Sequence, residues 1–315
     1  MSFIEDTEPT LVRKTSVFSS LLILVGFVLL GLFVGQFVAF MGMLPLFDYD
    51  FQGIVQALGN PMGSPRAKAS LLILQAASSL FGFILAPMLH QRLIDQQRSS
   101  PLTARYETQL MVLGLVFLLV VAFMLANSII IEWNMNLDLS QLSPSFEAWA
   151  KGKEEELKEL TEYLTRFDSF SGLLVGLLVI AVLPAIGEEF LFRGLVQPKL
   201  QKLFSNPHLA IWGAALLFSA IHLQFYGFFP RLLLGALFGY LFYWSGNLWY
   251  AIFAHFINNG FTLVMLYLYQ QEVTDIDMEA TEAIAWPMIL AAVIGGAFLL
   301  FQFRQLTKPK QPYEQ

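Results

Sequence analysis

The chain has 315 residues, of which 56% are hydrophobic and 13% charged, against roughly 25% charged in an ordinary soluble domain. With a mean hydropathy of +0.61, this excludes a disordered chain, a nucleic-acid-binding module and a water-soluble globule, so the solvent for most of the protein is lipid. The net charge of −6 comes without a dense basic patch for a phosphate backbone, and the absence of cysteine excludes disulfides, zinc–thiolate sites and thiol nucleophiles.

The chain opens on an acidic segment, Met1 to Glu8, without the basic start of a signal peptide. The apolar run from Val17 to Phe47 is too long for a cleaved leader and reads as a spanning helix. A helix needs about 20 apolar residues to cross the hydrocarbon. Eight such stretches follow one another: 19–44, 69–90, 110–131, 173–192, 209–223, 229–244, 248–269 and 285–303. The expected fold is therefore all-α, a polytopic membrane bundle of about eight transmembrane helices. It divides into an N-terminal three-helix region with an extramembrane loop (1–170), a core (171–270), and a last helix with its tail (271–315).

The connections differ in kind. Pro61, Gly63 and Pro65 make 48–68 an extramembrane loop. The long segment 132–169 contains Lys151-Gly-Lys-Glu-Glu-Glu-Leu-Lys, which reads as a charged surface helix with i,i+4 pairs such as Glu154–Lys158. The turn Ser245-Gly-Asn247 is flanked by Tyr243, Trp244, Trp249 and Tyr250, an expected aromatic belt. Gly31/Gly35 and Gly235/Gly239 have the spacing of close helix contacts. His90 and His208 fall at span ends and read as interfacial, and the 30 Phe residues as lipid-facing bulk.

An even number of spans puts both termini on one side. That side receives eleven Lys and Arg residues and the other seven, with Arg231 among the seven and Arg193 among the eleven. The positive-inside rule then places both termini in the cytoplasm of a cell membrane.

Ionisable residues within spans cost about 2.5–3.5 kcal/mol each on insertion scales, so each needs a reason. The fourth span ends Leu183-Pro-Ala-Ile-Gly-Glu188-Glu189-Phe-Leu-Phe-Arg193, the fifth Phe218-Ser-Ala-Ile-His222, and the seventh carries His255-Phe-Ile-Asn-Asn259. Glu189 and Arg193 share a helical face and read as a structural ion pair, while Glu188 points elsewhere. His255 and Asn259 share another face. Pro184 frees the carbonyl of Ile180, and together with Gly187 it is expected to kink the helix and admit water. At 1.5 Å per residue, Glu188, His222, His255 and Asn259 lie about 13–22 Å above their nearest first-side span ends. That similar depth points to one buried site.

These three motifs, in this order and in spans, resemble the CPBP intramembrane proteases, also called the type II CAAX prenyl endopeptidase or Abi family. The resemblance covers about residues 171–270. It implies hydrolysis of a peptide bond in a peptide or membrane-protein substrate within the bilayer. Glu188 would be the general base acting on a water with His222, and His255 and Asn259 would stabilise the oxyanion. Members have been described both as metalloproteases and as glutamate-dependent. Zinc held by Glu188, His222 and His255 is therefore a candidate cofactor, although the His-Glu-x-x-His pattern is absent. Two other readings stand beside the protease. One is a proton-coupled transporter, with Glu and His as relay groups, against which no inverted repeat is found. The other is a catalytically silent scaffold or immunity protein, in which the same residues form a helix-packing polar network.

Overall fold

The computed structural model describes residues 15–97, 100–103, 107–141, 143–275 and 285–307. The two termini, and with them Arg13, Lys14, Lys308 and Lys310 of the charge count, lie outside the described residues, as do Arg98 and Arg105. Among the described residues are ten longer helices, α1 Val17–Met43, α2 Phe51–Gly59, α3 Ala67–Leu93, α4 Leu110–Met135, α5 Pro144–Thr165, α6 Phe170–Phe204, α7 Pro207–Ala220, α8 Phe228–Ser245, α9 Leu248–Gln270 and α10 Trp286–Thr307, and two short 3-10 helices, Leu44–Phe47 and Pro61–Gly63. Among the described residues there is no strand.

Six helices, α1, α3, α4, α6, α9 and α10, are long and apolar enough to span a bilayer. The expected count of eight included α7 and α8, which do not meet that measure. With 14 residues, α7 rises only about 21 Å, short of the roughly 30 Å hydrocarbon. It is followed by an irregular loop, 221–227, part-buried against protein with Tyr226 its one buried residue, and non-helical backbone is tolerated at membrane depth where its polar groups find partners. Asn134 of α4 supplies one of them, donating from Nδ2 to the Phe225 carbonyl at 3.0 Å, and also accepts from the Phe229 N–H at the start of α8 at 2.9 Å.

The core is built around α6, in which every residue from Gly187 to Gln197 is buried. It packs against α3, α7, α8 and α9, with α1 laid on α3 and α10 on α4. Glycines set the close approaches. A Cβ at Gly31 would come within 2.5 Å of the Phe81 carbonyl oxygen, and one at Gly187 within 2.9 Å of the Phe83 Cβ. Gly187 thus serves contact between α6 and α3 rather than local freedom.

At Pro184 the helix has widened turns. Three π-helical stretches, Ser78–Leu85, Leu177–Val182 and Phe190–Val196, each end two residues before a proline: Pro87, Pro184 and Pro198. In each case the residue just before the proline donates its N–H five residues back: Ala86 to Phe81, Leu183 to Leu178 and Gln197 to Phe192. A proline ring collides with the carbonyl four residues earlier. Opening the turn by one residue relieves that collision and keeps the ladder bonded. The α-helical turn Leu183–Glu189 carrying both glutamates lies between two such stretches.

Several surface readings are corrected by packing. His90 is fully buried, its Nε2 2.9 Å from the Ser20 carbonyl oxygen, in a cluster with Ser20, Asp95 and Lys199 that ties α1, α3 and α6 together. Burial raises the Asp95 carboxyl, but hydrogen bonds from Lys199 and Ser20 outweigh it and hold the group below the usual carboxylate range. Tyr250 of the supposed belt is buried and accepts from the Gln109 N–H at 3.0 Å. On α5 the surface pairs are Lys151–Glu147, Lys153–Glu156 and Lys158–Glu162; Glu154 turns inward instead of meeting Lys158. Phe190, Phe218, Phe238 and Phe303 are buried, so phenylalanine is interior packing as well as lipid-facing bulk.

Candidate functional site

The Glu188–Glu189 pair divides by helical geometry. Adjacent residues on a helix point about 100° apart, so the two carboxylates meet different neighbours. Glu189 is fully buried and accepts two hydrogen bonds at the same oxygen, from Arg193 Nη1 at 2.7 Å and His255 Nδ1 at 2.8 Å. Arg193, also fully buried, donates from Nη2 to the Gly235 carbonyl at 2.9 Å. Its guanidinium carbon sits 4.6 Å from the Phe218 ring and 5.4 Å from the Phe238 ring. Charge pairing and two aromatic faces together compensate a cation removed from water.

Because Glu189 accepts from His255 Nδ1, a neutral His255 carries its proton there and presents a lone pair at Nε2. Nε2 lies 3.9 Å from Glu188 Oε2, too far for a direct hydrogen bond. Phe238 stacks on the imidazole at 5.2 Å between centroids and 19° between planes, fixing its plane. Glu189 therefore does more than neutralise Arg193, since it also orients the histidine that faces Glu188.

His222 stands in the turn after α7. Its Nδ1 lies 2.7 Å from the carbonyl oxygen of Phe218, four residues earlier, and its ring packs edge-on against the Phe218 ring. The Phe-x-x-x-His spacing thus has a local physical cause. It again leaves Nε2 as the free nitrogen. The Phe218 ring also meets the His255 ring at 6.0 Å between centroids, so this one aromatic side chain touches both histidines and Arg193.

Asn259 donates from Nδ2 to the Ile180 carbonyl oxygen at 3.3 Å. That is the carbonyl four residues before Pro184, so part of the asparagine's hydrogen-bonding capacity goes to repairing the helix. One N–H of the amide remains. Among the described residues no three His, Asp or Glu side chains group closely enough to hold a metal ion. Glu188, His222 and His255 as arranged are not a three-ligand set for zinc.

Gln197 belongs to the same structure and was not singled out from the sequence. It repeats the Arg193 contact one turn on, donating from Nε2 to the Gly239 carbonyl at 3.1 Å. A Cβ at Gly235 would press on Arg193 Nη2 at 3.1 Å, and one at Gly239 on Gln197 Oε1 at 2.9 Å. The paired i,i+4 spacings of Arg193/Gln197 and Gly235/Gly239 were the available clue. The space beside these glycines is filled by protein, so they are packing positions.

Residues 170–261 match the family model described as type II CAAX prenyl endopeptidase Rce1-like. Over 85 residues the chain is 32% identical to the uncharacterized protein YpbD of Bacillus subtilis (strain 168). That match covers 26% of this chain and 40% of the relative, so the chain spans less than half the length of that protein. No solved structure matches.

Proposed function

Since residues 170–261 match the family model of the Rce1-like type II CAAX prenyl endopeptidases, we propose that this multi-pass membrane protein is an endopeptidase in which Glu188 activates a water to attack a peptide bond. The observation that carries this reading is the 3.9 Å separation of Glu188 Oε2 from His255 Nε2. A water about 2.8 Å from each atom bridges such a gap at hydrogen-bond distance. Glu188 takes one proton from that water as its oxygen bonds to the carbonyl carbon, and the carbonyl π pair moves onto oxygen. Collapse breaks the C–N bond, and the proton held by Glu188 passes to the departing nitrogen.

The other residues follow from their placement. Glu189, held by Arg193, fixes the orientation and tautomer of His255. His222, with Nε2 free, is the second base beside the site. Asn259 keeps one N–H for a developing oxyanion while its other bond holds the Ile180 carbonyl. Nothing in this scheme resembles a relay across the bilayer, because the polar groups of α6, α9 and the turn after α7 gather in one cluster around Phe218 and His255. The substrate class proposed is a peptide segment of a membrane-bound protein.

The test is a comparison of membranes from cells carrying the parent protein or Glu188→Gln. New peptide N-termini present only with the parent support a peptidase, and identical N-terminal inventories overturn it. Orientation is proposed as both termini cytoplasmic. Removing the buried Arg193 and the part-buried Arg231 from the charge count leaves ten basic residues against six, so the bias stands. Because the chain has no cysteine, single Cys residues at positions 3, 155 and 312 can be probed without background. An impermeant thiol reagent on intact cells is expected to label position 155 and spare 3 and 312. Labelling of the termini would reverse the orientation.

A further inference from the structure

Arg231 enters the sequence reading only as one of the second-side charges, yet it is not at a free surface. It lies in the first turn of α8, nine residues after His222, and the loop between them folds back onto it. Gln224, two residues from His222, accepts from Arg231 Nη2 at 2.5 Å. Gly227 leaves room for the guanidinium, since a Cβ there would come within 3.3 Å of Nη2. Arg231 Nη1 is buried and has no acceptor. A part-buried guanidinium with a buried, unused donor is costly unless something else receives that donor during the protein's work.

The charge of this group acts on Glu188 and His222 and on Glu154 of α5. Glu154 is the inward-turned carboxylate of the otherwise exposed charged helix. Burial pushes its carboxyl up, and its Oε2 is likewise without a hydrogen-bond partner. Glu154 thus offsets the charge of Arg231 without using its free N–H. The donors assigned to an oxyanion from sequence are partly engaged already. His255 Nδ1 is spent on Glu189 and one Asn259 N–H on Ile180.

We propose that Arg231 is a further catalytic residue, whose Nη1–H donates to the carbonyl oxygen of the scissile peptide as that oxygen becomes an oxyanion, and that Gln224 is its positioning residue. This rests on the peptidase reading. When the Glu188-activated water bonds to the carbonyl carbon, the π pair moves to oxygen. Arg231 stabilises the resulting negative charge without transferring a proton. The charge returns to form C=O as the C–N bond breaks, and Arg231 is unchanged. A cation held beside the carbonyl costs no reorganisation at the moment of reaction, which is the condition for effective electrostatic catalysis.

The experiment uses full-length protein in detergent and an internally quenched peptide built around a new N-terminus found in the membrane comparison. Arg231→Gln is expected to lower kcat by about 10²-fold or more with KM little changed, the usual effect of losing one oxyanion donor. Arg231→Lys, which restores a cation, is expected to recover part of that loss, and Gln224→Ala to cost about tenfold in kcat by loosening the guanidinium. A merely structural Arg231 would be exposed by the pair with Glu154. Glu154→Gln alone is expected to keep kcat near the parent value. Combining Arg231→Gln with Glu154→Gln relieves the unpaired acid and is expected to restore thermal stability but not kcat. Recovery of kcat in that double variant, or a parent-like kcat in Arg231→Gln, overturns the assignment. If Glu188→Gln removes activity while Arg231→Gln does not, the peptidase reading survives and only the Arg231 role falls. If no peptide is cut by the parent protein, both fall.

Discussion

Glu188→Gln is expected to fold as the parent does and to lose peptide cleavage by about 10²-fold or more. Glutamine keeps the size of the side chain and a hydrogen-bonding oxygen but cannot accept the water's proton. Glu188 is 9% exposed and makes no direct hydrogen bond to a protein group, with His255 Nε2 3.9 Å away. Removing its charge therefore breaks no structural contact, which separates this variant from substitutions that act through stability. Steady-state kinetics on a quenched peptide, with thermal unfolding in detergent as the control, measures both. Metal analysis of the same preparation bears on mechanism, since a water held by Glu and His needs no stoichiometric metal. One zinc per chain together with loss of activity to a chelator would show the metal-free form to be wrong. Parent-like cleavage by Glu188→Gln would remove Glu188 as the base, and with it both the metal-free and the zinc form of the mechanism.

The second large effect is on stability. Arg193→Gln is expected to destabilise by about 3–5 kcal/mol, because it leaves Glu189 as a buried charge without its cationic partner. Both side chains are 0% exposed and 2.7 Å apart. Glu189→Gln strands the arginine in turn, with the Gly235 carbonyl as its remaining polar contact. The double substitution is expected to recover part of either loss, since no charge is then left uncompensated. Denaturant unfolding in mixed micelles measures these differences, and full stability in both single variants would show the pair to be unimportant. Glu189→Gln carries a second expectation that Arg193→Gln does not share. It removes the anion that fixes the His255 tautomer, so cleavage by the fraction that remains folded falls as well.

The two effects stand apart because neighbouring residues on one helix do different work. Glu188 and Glu189 are equivalent in composition, and helical spacing to Arg193 was enough to divide them. What spacing did not reveal is that His255 sits on the Glu189 side as firmly as Arg193 does, and that Glu188 meets His255 rather than a pairing with His222. That depends on how α9 lies against α6, including the stack of Phe238 on the imidazole. Asn259 shows the same limit. Pro184 identified the freed carbonyl of Ile180, but only the crossing of two helices supplied its partner.

By itself the sequence determined the solvent, the helical class and the order of the spans, because the low charge content and long apolar runs permit little else in lipid. It also carried the three polar motifs, since ionisable groups stand out against an apolar background. It did not determine which apolar face meets lipid and which meets protein. A lipid tail and a leucine side chain are equally good neighbours for a phenylalanine, so the amphipathic contrast that marks a buried face in water is missing. For that reason only the tertiary structure decided that Phe218 and Phe238 wall the site, and that Tyr250 and His90 are interior. Glu154 and Arg231 likewise look like loop and surface charges by position. They are brought inside because α5 and the 221–227 loop close over one end of the bundle, a long-range contact that no local period encodes.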